Sequence, residues 1–370
     1  MTERGRISNI QAAMLIITSL TIIGHLVLLT VVIFQSRQDG WIAGIVGTVL
    51  GLIGIIALVK LSQAYPGLTL IEILFKHFSW PGKIIGILYL VYFYIMVILA
   101  TRLFVEAYKK ILIDTPSWAF ITVILVLTSF IVYLGLETLG RLNQIMLPVL
   151  VIIAIAVVFL TMGEKKDYTN LLPVLGSGIT PVAKGSLSVM AWFGEFVIIM
   201  GMVLPYVQKP IKHIKTGIWA AVITLIFFLG PITGPIALFG ADEAAKMVFP
   251  TFSEVRYIEA GEVINRFDTI AILFWTVGLM IRISLFFYGL SLGTAQALKL
   301  NVYQPLIIPY AWLIGVGSLL FAKNYAEIHE FLFESYVPLN LLMGAILPLL
   351  LVIITTITFK KRIPKQSKAE

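Results

Sequence analysis

Two ionisable residues of opposite sign lie inside long apolar runs of this 370-residue chain. Glu195 sits near the centre of SLSVMAWFGEFVIIMGMVLPYV (Ser186 to Val207), directly after Gly194. Arg282 lies in LFWTVGLMIRISLFFYG. A charged side chain in hydrocarbon costs about 3 kcal/mol on insertion scales, and such residues therefore face a partner, a cavity or a ligand. Glu195 can hold a ligand ammonium group, carry a coupling proton, or cap freed backbone N–H groups at a helix break. Arg282 can pair with Glu195, line an inner vestibule, or snorkel to the cytoplasmic interface.

Polar and aromatic neighbours extend the candidate set. His25, with Gly24, Thr18 and Thr21, forms the polar centre of TSLTIIGHLVLLT. A histidine there either senses protonation near neutrality or hydrogen-bonds between helices. The two threonines bond either a ligand or their own backbone. Trp192 and Phe193 flank Gly194 and offer an aromatic wall or a cation–π face. Tyr94 in LYLVYFYIM and Trp275 complete the expected lining.

Other chemistries find no support. The chain has no cysteine and four scattered histidines, and no Ser-His-Asp, paired-carboxylate or metal-ligand spacing appears. GSGITP reads as a turn, since no Lys-Ser/Thr or nucleotide fold follows it. No enzyme activity, cofactor or metal is expected.

The elements that must position these residues follow from composition. Hydrophobic residues make up 59% of the chain and charged residues 12%, with a mean hydropathy of +0.99. A soluble domain carries roughly 25% charged residues; half of that leaves a surface for lipid. The fold class is all-α and polytopic, as one integral domain over residues 1–370. The net charge of +8 suits an anionic cytoplasmic leaflet rather than nucleic acid. The apolar run after MTERGR exceeds a signal-peptide core and reads as a retained first span.

Ten windows reach the roughly 20 residues needed to cross hydrocarbon. They lie at about 8–34, 40–60, 84–108, 116–135, 140–162, 186–207, 214–240, 268–297, 303–322 and 336–359. Lys209, Lys212, Lys215 and the tail KKRIPKQSK place both termini on the cytoplasmic side by the positive-inside rule. Amphipathic segments follow the second and seventh spans, PGLTLIEILFKHFSWPG (Pro66 to Gly82) and FPTFSEVRYIEAGEVINRF (Phe249 to Phe267). They occupy matching positions on opposite sides of the membrane, which predicts a 5+5 inverted repeat over about 8–162 and 186–359. Spans 1 and 6 then correspond, and each carries glycine and a polar side chain at mid-depth. Both are expected to be broken there, around a ligand pocket walled by spans 3 and 8.

The run DYTNLLPVLGSGITPVAKGSLSVMAWFGEFVIIMGMVLPYV resembles the spore germination permease family, the B-type membrane subunits of nutrient-germinant receptors. QDGWIAGIVG, AYPGLTLIEIL, GLETLGRLNQIMLP and EVRYIEAGEVINRFDTIAILFWTVGLMIRISLFFYG extend the similarity from residue 38 to about residue 290. The resemblance implies a branch of the amino acid–polyamine–organocation transporters with a LeuT-type fold and broken helices 1 and 6. It also implies the inner spore membrane, partner subunits of A and C type, and a small nutrient such as an amino acid. TIIGHLV differs from the G-S-G run of amino acid carriers in having one glycine and a histidine, which weakens the case for a backbone carboxylate nest. A receptor, a proton-coupled amino acid transporter and a scaffold without ligand are the three readings left open.

Overall fold

The structure is a computed structural model, described here for residues 3, 5–109, 112–161, 166–208, 213–257 and 267–362. Among these residues nine segments are long and apolar enough to cross a membrane. The first, Asn9–Ala64, has 56 residues, about 84 Å of helix and more than twice the hydrocarbon thickness. It is interrupted at Arg37, whose φ is 52°. Its parts are α1 (Asn9–Ile23), a π-helical turn at Gly24–Leu28, α2 (Leu29–Ser36) and, beyond Arg37–Asp39, α3 (Gly40–Ala64). Lys209, Lys212, most of the C-terminal tail and residues 258–266 of the second amphipathic segment lie outside the described residues.

Local chemistry sets the helix boundaries. Ser8 and Gln11 form a reciprocal capping box that starts α1, and Thr69 with Glu72 does the same for the short α4 (Leu70–His77). Each box satisfies two N–H groups that a helix start leaves open. Four long helices follow in chain order: α5 (Ser79–Tyr108), α6 (Ser117–Leu134), α7 (Leu136–Thr161) and α8 (Ile179–Val203). After α9 (His213–Phe239) come two short helices, α10 (Ala241–Ala244) and α11 (Pro250–Arg256), then α12 (Phe267–Ala297) and α13 (Ile307–Phe321). The last apolar segment contains α14 (Tyr325–Phe331), α15 (Val337–Leu341) and α16 (Leu347–Arg362), separated by π-turns at Leu332–Tyr336 and Leu342–Ile346.

The α1–α2 arm and α8 are antiparallel neighbours. Ile7 pairs with Val207, donating its N–H to Tyr206 O at 3.1 Å and accepting from Gln208 N–H at 3.0 Å. At the other end Ser36 donates to the Pro181 carbonyl, and Ser188 donates to Gln35 Oε1. On α3, Gly47, Gly51 and Gly54 recur every three or four residues, along one helix face. A Cβ at Gly47 would lie 2.5 Å from Ser186 O, and one at Gly51 would lie 2.6 Å from the Phe193 Cβ. These small residues bring the α3 and α8 backbones into direct contact, as in membrane helix pairs generally. In the α8 segment 89% of the most apolar window is buried inside the protein, against 17% for that of α13. Glu195 therefore lies at the centre of the bundle and not against lipid.

The expected breaks take another form. The α8 helix runs without interruption through Gly194 and Glu195, because a Cβ-free Gly194 is needed for packing rather than for unwinding. A Cβ at Gly344 would sit 2.2 Å from the Gly194 Cα, so the two glycines allow backbone-to-backbone contact. Span 1 is not unwound either: it carries the π-turn at Gly24–Leu28, a one-residue insertion that leaves the helix continuous.

Candidate functional site

Glu195 and Arg282 meet in the core. Arg282 Nη2 lies 2.6 Å from Glu195 Oε2, with the side chains 0% and 1% exposed. The guanidinium does not snorkel. Its Nη1 donates to the Ser19 carbonyl at 3.1 Å, and its plane lies over the Phe286 ring at 4.7 Å. Tyr336 donates its hydroxyl to Glu195 Oε1 at 2.8 Å. A carboxyl facing a guanidinium and a phenol donor forms a short-range polar network in a low-dielectric interior.

The network extends along the last apolar segment. Asn340 Nδ2 donates to the Tyr336 carbonyl at 2.9 Å, and Tyr92 donates its hydroxyl to Asn340 Oδ1 at 2.5 Å. Tyr89 donates to the Met343 carbonyl at 2.7 Å. Tyr336 and Met343 belong to the two π-turns of that segment, where shifted helix pairing leaves carbonyls open to side-chain donors. One cluster thus joins α1 through Ser19, α5 through the two tyrosines, α8 through Glu195, α12 through Arg282 and the α14–α16 segment.

Sequence reasoning missed Ser19, Tyr92, Tyr336 and Asn340. A signal for two of them exists: Tyr336, Asn340 and Gly344 are spaced by four and line one helical face. Tyr94, the expected contact, points elsewhere and donates to Leu313 O on α13 at 2.8 Å. Its neighbour Tyr92 occupies the buried face instead.

The span 1 residues divide between two environments. Gly24 faces the Trp192 ring, whose nearest atom would lie 2.9 Å from an added Cβ. Trp192 in turn packs on Phe193 and Phe228. Both aromatics are fully buried, so the space expected for a pocket between spans 1 and 6 is filled by side chains. Thr18, Thr21 and His25 turn away from Glu195, toward α7, α9 and α12, where they line a small void of about 20 Å³. Thr18 donates to Asn143 Oδ1 at 2.8 Å, while the Thr21 hydroxyl has no hydrogen-bond partner among the described residues.

His25 also forms part of the floor of a larger cavity of about 500 Å³. Its Nε2 lies 3.3 Å from the Phe227 carbonyl. That carbonyl is available because Pro231, four residues on inside α9, has no N–H to donate to it. A π-turn in one span and a proline in another therefore meet through one imidazole. Trp275 lines the same cavity and packs on Phe249 and Phe252. In the lining of the cavity Lys166 and Glu254 form an ion pair at 2.7 Å, with side chains 7% and 6% exposed. The adjacent Asp167 carboxylate accepts from the Thr169 hydroxyl and N–H, bonds that hold it below the usual carboxylate pKa. Glu195 and Arg282 line neither cavity.

Comparison with known proteins places this geometry. The spore germination protein family (Spore_permease) matches residues 6–326. The chain belongs to that family. It is 27% identical over 359 residues to spore germination protein YndE of Bacillus subtilis, covering 95% of this chain and 96% of the relative. It is 27% identical over 380 residues to spore germination protein KB of the same organism, covering 100% and 99%. With spore germination protein XB of Bacillus anthracis it shares 25% over 359 residues, covering 95% and 98%. The family read from NLLPVLGSGI…GEF is the family found, and the protein is a B-type germinant receptor subunit. Two crystal structures of a manganese transporter from Eremococcus coleocola share the fold, at TM-scores of 0.57 and 0.55. The first covers 96% of this chain and 80% of the transporter at 10% identity. At that identity the likeness concerns a LeuT-type fold alone.

Proposed function

We propose that this subunit senses a small nutrient, such as an amino acid, and passes a conformational change to A-type and C-type partner subunits in the inner spore membrane. The observation that carries the reading is the buried Glu195–Arg282 pair with Tyr336 and Ser19. It locks four crossings together by polar contacts that cannot be exchanged for water. Three π-turns lie beside it, in the two segments that flank α8. A packed network of this kind has discrete arrangements rather than a continuum. A nutrient that binds one arrangement better than another shifts their populations by that difference in affinity.

Two crossings in Asn9–Ala64 bring the count to ten, arranged as a 5+5 inverted repeat. The antiparallel placement of the α1–α2 arm and α8, and the matched positions of α4 and α11 after the second and seventh crossings, support it. Both termini lie on the cytoplasmic, spore-core side in this arrangement.

The test is a nutrient panel on the purified protein in nanodiscs, read by thermal unfolding, with Glu195→Gln in parallel. Saturating nutrient at 100 times Kd adds about 2.7 kcal/mol to the stability of the form it binds. The expected result is a rise in Tm for the wild type that is lost or reduced in the variant. Equal shifts in both remove Glu195 from the switch, and no shift with any nutrient removes the receptor reading. Counterflow of labelled nutrient in liposomes would show a transporter instead.

A further inference from the structure

A groove that opens where α1 and α9 begin has the depth and charge of a lipid site. The α1 helix packs against both α7 and α9, which have no comparable contact with each other among the described residues. It forms the floor of a cleft walled by those two helices, with a volume of about 1020 Å³. Lys215, Trp219, Ile223 and Phe227 line the α9 wall at intervals of four residues, and Leu147 and Val151 line the α7 wall at the same interval. That spacing keeps each set on one helix face. From Lys215 to Phe227 the helix rises about 18 Å. One leaflet of hydrocarbon is about 15 Å thick, half of the full core. The groove therefore runs from headgroup level to the middle of the bilayer.

Its polar lining is confined to the mouth, and the deeper lining, among the described residues, is apolar throughout. Lys215 is exposed and in no ion pair among the described residues, and none of the described lining residues is acidic. Also at the mouth, Asn9 donates Nδ2 to the Gln208 carbonyl at 2.7 Å, which leaves its Oδ1 buried with no partner among the described residues. The mouth thus offers one cation and one open acceptor. A phosphodiester answers the cation, and a headgroup hydroxyl answers the acceptor. A zwitterionic headgroup brings a cation of its own and leaves the lysine's charge uncompensated. Trp219, one turn inward, is 65% exposed, as suits an indole at the boundary between headgroups and hydrocarbon.

We propose that this groove binds an anionic glycerophospholipid with a hydroxyl-bearing headgroup. Its phosphate lies on Lys215, a headgroup hydroxyl donates to Asn9 Oδ1, and one acyl chain runs inward along α1 between α7 and α9. The end of the chain reaches Phe227, which also lines the small void at His25 and whose carbonyl meets the His25 ring. The lipid thereby touches the residue that holds the histidine of the span 1 π-turn. The site is separate from the Glu195 cluster, and it does not depend on the receptor reading.

Native mass spectrometry of the full-length protein in a neutral detergent tests this, with phosphatidylglycerol, phosphatidylmethanol, phosphatidylcholine and palmitate as probes. Phosphatidylmethanol keeps the anionic phosphate but has no headgroup hydroxyl. One phosphatidylglycerol per protein is expected to be retained, with an affinity at least fivefold above that of phosphatidylcholine. That factor corresponds to about 1 kcal/mol for one basic side chain at a membrane surface. Lys215→Gln is expected to remove the preference, and Asn9→Leu to lower phosphatidylglycerol to the level of phosphatidylmethanol. Ala13→Phe, which fills the floor, is expected to abolish retention with Tm preserved, and Val151→Phe does the same from the α7 wall if the first variant lowers Tm. Equal affinity for phosphatidylglycerol and phosphatidylcholine overturns the proposal, as does a preference untouched by Lys215→Gln and by both phenylalanine variants. Equal affinity for phosphatidylglycerol and phosphatidylmethanol overturns the headgroup assignment. Palmitate bound as tightly as the phospholipid overturns the proposal in favour of a free fatty acid. A dimer that Ala13→Phe dissociates overturns it in favour of a second copy of the chain.

Discussion

A double-mutant cycle on Glu195 and Arg282 tests the energetic account of the core most directly. Arg282→Met removes the 2.6 Å ion pair and the bond to Ser19 O, leaving the Glu195 carboxylate with the Tyr336 hydroxyl as its remaining described partner. Glu195→Gln keeps an acceptor for Tyr336 but leaves the guanidinium with the Ser19 carbonyl and the Phe286 ring face. Breaking a buried pair from one side costs about 3–5 kcal/mol, because one charge stays buried without compensation. Removing both charges together avoids that penalty, so the double variant is expected within about 2 kcal/mol of the wild type. The unfolded chain in a membrane also finds polar partners, which trims each value. A coupling energy of at least about 3 kcal/mol is therefore the lower bound. Reversible unfolding in mixed micelles, with all four proteins measured under one condition, supplies the numbers. Single costs that simply add, with coupling below about 1 kcal/mol, would refute the view that this pair locks the bundle.

Two further outcomes follow from the packing. Gly344→Ala, whose methyl would meet the Gly194 backbone, is expected to cost about 3 kcal/mol or more, whereas Gly67→Ala has open space and only a φ of +76° to strain it, about 1–2 kcal/mol; thermal unfolding of both ranks them. His25→Ala leaves the Phe227 carbonyl unsatisfied and is expected to cost about 1–3 kcal/mol. In a Pro231→Ala background the restored amide covers that carbonyl, and the same histidine change should cost at least about 1 kcal/mol less, measured by the same unfolding assay.

Hydropathy was sufficient to read most of the fold, because lipid imposes a length and an apolar composition that each crossing displays in its own residues. Glu195 and Arg282 stood out for the same reason: a charge in an apolar run has few inexpensive explanations. The identity of their partners did not stand out. Ser19 contributes a backbone carbonyl, and no residue type signals that. Choosing Tyr94 over Tyr92 rested on depth, whereas the face that each presents depends on the helix's rotation, which hydropathy does not fix. The expected break at Gly194 failed on a related ambiguity. Glycine serves both unwinding and close packing, and here Gly344 across the interface decides for packing. The cavity beside His25 was legible only in part, since Lys166 and Glu254 are 88 residues apart in the chain and look like ordinary loop charges until α11 folds back over α9.

The backbone pairing of Ile7 with Val207 has a mechanical meaning. It pins neighbouring ends of two antiparallel rods with main-chain hydrogen bonds that survive any substitution except proline at the donors. The π-turn at Gly24–Leu28 lies roughly midway along the first rod and stores an extra residue in the helix. The pair is thus joined by its main chain at one end and carries its one stored residue away from that joint, so a change in helix register at the π-turn leaves the joint itself intact.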